Sequence, residues 1–187
     1  MECFAQKGYA GCSIREICKA AGVTKPVLYY HFSSKEDLYR ELMLDIFSQT
    51  RENYLRLATF HGSLRDGLIR FVDSELSDCK RDPFSVRLLF RMMFSPEGEY
   101  PYFNFIKEFR HERKVIAEFL RTHSAPDSPL DFESAANSLM GMMLMAILEN
   151  LFTKRPTLTR RNAEKFVDLL LSSILSLDKS IPIGKPR

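Results

Sequence analysis

Apolar residues recur at spacings of three and four along nearly the whole chain, and almost no run alternates with period two. Turns of 3.6 residues bring positions i, i+3, i+4 and i+7 onto one face, whereas a half-buried strand needs strict alternation. The expected fold class is therefore all-α. Glycine is scarce, eight in 187 residues, and the prolines gather between the periodic segments, where helices should stop. Hydrophobic residues at 45% and charged residues at 27% exclude global disorder. No stretch reaches the roughly 18 uninterrupted apolar residues of a membrane span, and no signal-peptide core opens the chain. The expectation is a cytoplasmic protein with no membrane partner.

The N-terminal part is punctuated by helix signals. Ser13-Ile14-Arg15-Glu16 is a capping box, in which the serine hydroxyl accepts from the Glu16 N–H and the Glu16 carboxylate accepts from the serine N–H. Ile14, Ile17, Cys18 and Ala21 then form a narrow apolar stripe, and Gly22 supplies a left-handed stop. After Val23, Thr24 can cap a second short helix with Pro26 in its first turn. Because a residue before proline is pushed away from helical angles, the cap can instead fall at Lys25. A second box, Ser33-Ser34-Lys35-Glu36, opens a third helix that carries Leu38, Leu42 and Ile46 and runs to about Phe60.

Further helices are expected from Leu64 to just before Asp82-Pro83, from Phe84 to Phe94, from about Tyr100 to Arg121 and from Phe132 to Phe152. The last opens at Thr157 or Thr159 and carries Ala163, Phe166, Val167, Leu170, Ile174 and Leu177 on one stripe. The tail from Ser180 to Arg187 shows no pattern. About nine helices result.

Two short helices joined by a glycine turn are the pattern of a helix-turn-helix DNA reader, or simply of two helices packed as a corner. The second helix separates the two. Leu28 and Phe32 share a face for the core, which leaves Lys25, Tyr29, Tyr30 and His31 outside. Lysine attracts phosphate, and tyrosine and histidine donate to phosphate oxygens; Pro26 and Val27 at the tip can meet a thymine methyl. The formal net charge is only +3, and residues 1–40 hold six basic side chains against four acidic ones, so the basic bias is local and mild.

Phe4-Ala5-Gln6-Lys7-Gly8-Tyr9, Ser13-Ile14-Arg15-Glu16-Ile17, Ala20-Ala21-Gly22-Val23 and Leu28-Tyr29-Tyr30-His31-Phe32, followed by Lys35-Glu36-Asp37-Leu38, resemble in order and spacing the DNA-binding domain of the tetracycline-repressor-like (TetR) transcriptional regulators. The resemblance covers about the first 40 residues. It implies a three-helix DNA-binding domain over residues 1–40 and a larger helical domain over 41–187 that binds a small molecule and forms the dimer. It implies further that Ser13 and Lys35 hold phosphates from the starts of their helices. Thr24, Lys25, Pro26, Val27, Tyr29, Tyr30 and His31 would face the major groove of double-stranded operator DNA and its backbone. Many relatives have glycine or a small residue where this chain has Pro26, which bears on base preference. Relatives also begin with a longer first helix preceded by basic residues. With Met1 three residues before Phe4, the first helix is expected to be truncated, either by missing upstream residues or because it is short.

In the second half, aromatic and methionine side chains gather on neighbouring helices, as an adaptable apolar pocket or as ordinary core. The candidate pocket residues are Phe90, Met93, Phe94, Phe103 and Phe109, with Met140 and Met143 from a segment that is apolar nearly all round. Gly141 within that segment weakens the helix and leaves room for a ligand or a close neighbour, or is a packing glycine. The expected effector is small and apolar or amphipathic, the expected homodimer forms through the last two helices, and the third helix is expected to carry the ligand's effect as a tilt. Cys3, Cys12, Cys18 and Cys79 show no C-x-x-C spacing, so no metal is expected, and the four read as thiols that are small buried hydrophobes or, alternatively, redox sensors. With no glycine-rich phosphate loop, no G-x-S-x-G and no H-E-x-x-H, neither a cofactor nor an enzyme activity is expected. The reading is a ligand-released dimeric repressor; the alternative is a helical small-molecule binder that has lost DNA binding.

Overall fold

The computed structural model describes residues 1–96, 98–153 and 155–178, with side chains through Ser173. The expectation for the tail from Ser180 falls outside them, as do the side chains of Ile174 and Leu177. Among the described residues there are nine helices and no strand: α1 (Glu2–Gly11), α2 (Ile14–Ala21), α3 (Lys25–His31), α4 (Lys35–Ala58), α5 (Leu64–Arg81), α6 (Pro83–Met93), α7 (Phe105–Thr122), α8 (Phe132–Thr153) and α9 (Arg160–Asp178). The all-α class read from the periodicity is the observed one.

Local cap chemistry explains most of the boundaries. At α2 the expected box is complete: the Glu16 N–H donates to Ser13 Oγ at 3.2 Å, the Ser13 N–H donates to the Glu16 carboxylate at 2.9 Å, and Gly22 takes the left-handed conformation at φ 67°. At α3 the cap is Thr24 rather than Lys25, with extended angles of −90° and 160°. Its side chain makes no capping hydrogen bond, because Pro26 at the second helical position removes one of the two N–H groups that a cap can use. Thr159 rather than Thr157 opens α9, accepting from the Asn162 N–H at 3.3 Å, while Thr157 donates to the Ala146 carbonyl at 2.6 Å.

Three expectations are corrected. The box at α4 lies one residue later than Ser33 and Glu36: Ser34 Oγ accepts from the Asp37 N–H at 3.0 Å, and the Asp37 carboxylate accepts from the Ser33 N–H at 2.8 Å. Extended angles at Phe32 keep Ser33 outside the helix, so the third helical position is Asp37, and Glu36 pairs instead with Arg40 one turn on. Helix α7 starts at Phe105, not near Tyr100, because Pro101 disfavours helical angles at the residue before it and Asn104 caps the next turn, accepting from the Lys107 N–H at 3.0 Å. Finally, Cys3 and Cys12 are not thiols. Gly8 breaks α1 with φ 75° and ψ 175°, and the returning chain brings Cys12 to a Cα separation of 5.9 Å from Cys3, where the two form a disulfide, while Cys18 is a buried thiol.

By compactness the chain forms two units. One unit comprises Met1–Arg51 with Cys79–Lys107, and the other comprises Glu52–Asp78 with the chain from Glu108 onward. In the first unit Phe4, Tyr39, Met43 and Leu88 are almost fully buried, and the Tyr39 ring stands edge-on to Phe4 at 5.3 Å and to Tyr9 at 5.2 Å. The Tyr39 hydroxyl donates to Met92 Sδ at 2.9 Å, and Arg91 donates to the Gln6 carbonyl at 2.6 Å, so α6 holds α1 by its backbone.

In the second unit Leu68, Val72 and Leu76 of α5 form a continuous buried stripe, packed in the same unit as Ile116 and Leu120 of α7 and Leu139 of α8. Helix α8, 22 residues long, is apolar enough by length and composition to cross a membrane. A core helix meets the same test, and Ala135, Ala136, Leu139, Met143 and Ala146 of α8 are buried within this unit.

Candidate nucleic-acid interface

Helix α3 buries one residue. Leu28 is 5% exposed and Phe32 half-buried, as their spacing implies, while Thr24, Lys25, Pro26, Val27, Tyr29, Tyr30 and His31 are all exposed. Tyr30 is 85% exposed, the greatest exposure among the large apolar side chains of the described residues, and its ring meets His31 edge-on at 5.1 Å. Leaving three adjacent rings and two apolar tip residues in water forgoes burial worth roughly 1.5–3 kcal/mol for each large side chain. A helix that only turned a corner would not present this surface. The seven exposed residues form one contiguous tip of donors, a cation and small apolar groups.

The helices that flank α3 are tied by local pairings of their own. Ser13, besides accepting from the Glu16 N–H, donates its hydroxyl to the Glu16 carboxylate at 2.8 Å, so its proton is already engaged. Lys7 donates to the same carboxylate, and these bonds, Lys7 first and Ser13 second, hold the Glu16 carboxyl down to about 2. Lys35 stands 4.3 Å over the Tyr9 ring and is half-buried, and desolvation lowers its ammonium from the usual lysine range. It is thus partly engaged by an aromatic face, a contact invisible in the sequence, where Tyr9 and Lys35 lie 26 positions apart.

The seven apolar candidates are shared between the two units. Phe90, Met93, Phe94 and Phe103 belong to the first unit, and Phe109, Met140 and Met143 to the second. Phe103 stacks on Phe47 at 4.8 Å, Phe90 stacks on Phe94 at 6.2 Å, and Phe94 is exposed. Phe109 and Met140 are half-buried, Met143 is buried and Met93 is exposed. None of these residues lines the three principal cavities, all of which open in the second unit.

One of those cavities is a broad groove between α8 and α9 that takes in Gly141, Met145, Phe152 and Phe166. A Cβ on Gly141 would meet nothing within 4 Å there, so no neighbour among the described residues accounts for that glycine. Another lies between the end of α4 and α5 and holds a polar group that the sequence reading missed. Asn53, only 5% exposed, donates to Glu75 and Asp78 at 2.8 Å each and accepts from Ser74 at 2.9 Å. The signal was available, since Asn53 falls at helical spacing between the buried Ile46 and Leu57. Among the described residues no group of three or more histidine, cysteine or carboxylate side chains is placed to hold a metal ion.

Residues 1–42 match the family described as bacterial regulatory proteins, tetR family. Among curated proteins, the chain is similar to the HTH-type negative transcriptional regulator IcaR of the biofilm operon icaADBC of Staphylococcus epidermidis, 30% identical over 51% of this chain and 50% of that protein. It is also similar to the HTH-type transcriptional regulator AcrR of Shigella flexneri, 36% identical over 49% of this chain and 42% of that protein. The chain therefore spans about half the length of these relatives. Among solved structures, the TetR family transcriptional regulator PfmR from Thermus thermophilus superposes with a TM-score of 0.69 at 20% identity, covering 90% of this chain and 92% of that one. The fatty acid degradation regulator FadR from Bacillus halodurans superposes with a TM-score of 0.71 at 16% identity, covering 90% and 89%. At such identities the likeness shows a shared fold.

Proposed function

From the match of residues 1–42 to the tetR family of bacterial regulatory proteins, we propose that the chain is a DNA-binding transcriptional repressor working as a homodimer in the cytoplasm. The observation that carries the reading is the exposed tip of α3, in which one residue is buried and Tyr30 is 85% exposed. Lys25, Tyr29, Tyr30 and His31 meet phosphates and base edges, while Pro26 and Val27 reach apolar groups in the major groove. Ser13 contributes its backbone end rather than its engaged hydroxyl, and Lys35 adds charge at the edge of the contact. Relatives are named as a negative regulator, a repressor and an activator, and the reading follows the first two.

Two copies pair through α8 and α9, whose exposed Leu144, Met145, Phe152 and Leu169 support such an interface. A two-fold dimer matches a palindromic operator. A small molecule bound by the second unit releases the DNA by favouring a different separation of the two α3 helices, and α4, unbroken from Lys35 to Ala58 and running through both units, carries the change.

A gel-shift titration of the protein against its own upstream DNA at two salt concentrations tests this, because phosphate contacts make affinity fall steeply with salt. Tyr30→Phe should weaken binding to all sequences alike, whereas Val27→Ala should change base preference. Binding left unaltered by both substitutions, with the fold intact, would remove α3 from the interface.

A further inference from the structure

The cavity between the end of α4 and α5 has a volume of about 250 Å³, just below the roughly 300–1,000 Å³ usual for ligand pockets. That space suits a single-ring molecule and is too small for a long acyl chain. Its walls are Leu57, Phe60 and Phe71. Gly67 makes the Phe60 wall possible, because a Cβ there would stand 2.8 Å from Phe60 Cδ1 and 2.4 Å from Phe119 Cζ.

The mouth and the floor have opposite chemistry. At the mouth are two exposed guanidinium groups. Arg56 is paired with Glu52, whereas Arg70 lies 5.6 Å over the Phe60 ring and has no ion pair among the described residues. The floor is Asn53 with Ser74. Both amide hydrogens of Asn53 are already donated, to Glu75 and Asp78, and the Ser74 hydroxyl is donated to Asn53 Oδ1. The floor therefore has no hydrogen left to give but keeps acceptor lone pairs on both oxygens. Behind it, desolvation and the neighbouring Asp78 push the Glu75 carboxyl up to about 7, which marks an environment hostile to a further negative charge.

Resting on the reading of the chain as a ligand-responsive regulator, we propose that this cavity binds a small hydroxylated aromatic carboxylate. The carboxylate sits on Arg70 and Arg56 at the mouth, the ring lies between Leu57, Phe60 and Phe71, and the hydroxyl donates to Asn53 or Ser74 at the floor. A wholly apolar molecule would leave the arginines and the floor acceptors unused. A phosphate would make no use of the three apolar walls.

The test is isothermal titration of the full chain with 4-hydroxybenzoate, with benzoate and 4-hydroxybenzamide as comparators, alongside a gel shift on the upstream DNA without ligand. The expected result is one 4-hydroxybenzoate per chain. Replacing the carboxylate by the amide, or Arg70 by methionine, should each weaken binding about tenfold or more, since a charge-assisted hydrogen bond is lost. Benzoate should bind more weakly than 4-hydroxybenzoate. Leu57→Trp, which fills the cavity, should abolish binding, and Arg70→Gln provides a second exposed substitution with melting curves as the check on folding. Absence of binding by both acids at millimolar concentration, or undiminished binding in the folded Arg70→Met, Arg70→Gln and Leu57→Trp variants, overturns the site. DNA binding without any acid binding would overturn the site and leave the regulator reading standing; acid binding at this site without DNA binding would do the reverse.

Discussion

Helix α3 and the first half of α4 follow one another in the chain, and both carry tyrosines, with opposite fates. Tyr29 and Tyr30 are 49% and 85% exposed, whereas Tyr39 is 1% exposed, surrounded by rings and bonded to Met92. The same side chain thus serves as surface in one helix and as core nine residues later. What separates them is register: α3 is seven residues long with a single buried position at Leu28, while Tyr39, Met43, Ile46 and Phe47 of α4 repeat at spacings of three and four. A helix that contributes so little to its own core is held by what flanks it, and its surface is free to be selected for contact.

The sharpest way to break this contrast is Tyr39→Ala. It should lower unfolding free energy by about 3–5 kcal/mol, the range for deleting a large buried ring, whereas Tyr30→Ala should stay within about 0.5 kcal/mol. Denaturant titration of both variants measures it, and equal midpoints would erase the distinction between the two helices.

Next in size is the disulfide that closes the segment ahead of α2. Cys3→Ser, compared with the oxidised chain, should cost about 2–3 kcal/mol by loosening a loop of this length in the unfolded state, read again from the denaturation midpoint. If the reduced and oxidised chains unfold together, the flanking support of α2 and α3 is entirely non-covalent.

The contrast extends to carboxylates. Desolvated Glu75 has a pKa raised to about 7 from 4.5, so the folded state binds the extra proton; the stability linked to this group is full below about pH 4.5 and is lost as pH rises through about 7. Glu75→Gln should flatten that part of the stability profile, by roughly 1–3 kcal/mol at pH 8. Exposed Glu16, lowered to about 2 by Lys7 and Ser13, has the opposite sign: its contribution is present above about pH 4.5 and lost as pH falls through about 2. Glu16→Gln should therefore lower stability slightly on the neutral limb, where that contribution is present, and leave it unchanged near pH 2, where Glu16 is itself protonated. Melting curves across pH 2–8 distinguish the two; a Glu75→Gln profile identical to that of the parent would mean its carboxyl is not desolvated.

The smallest expected effect is Ser13→Ala, about 1 kcal/mol for the loss of a cap, measured by denaturant titration. A loss several times larger would mean that the capping box supports α3 as well as α2.

Most helix limits were legible in the order of residues, because capping boxes, left-handed glycines and proline stops act over three or four positions and need no distant partner. Ser13 with Glu16, Gly22, and Leu28 with Phe32 as the inner face of α3 all follow from that short range. The outward surface of α3 followed too, since three adjacent rings cannot point into one core. What could not be read were contacts between residues far apart: the return of Cys12 onto Cys3 across the break at Gly8, Lys35 over Tyr9, the division of the seven apolar candidates between two units, and Asn53 bridging Glu75 and Asp78. The box at Ser33 and Glu36 moved to Ser34 and Asp37 for a related reason: two serines offered equivalent local chemistry, and the extended backbone at Phe32 chose between them. Periodicity states which face of a helix is buried, but packing alone selects the partners of that face, because their separation along the chain leaves no periodic trace.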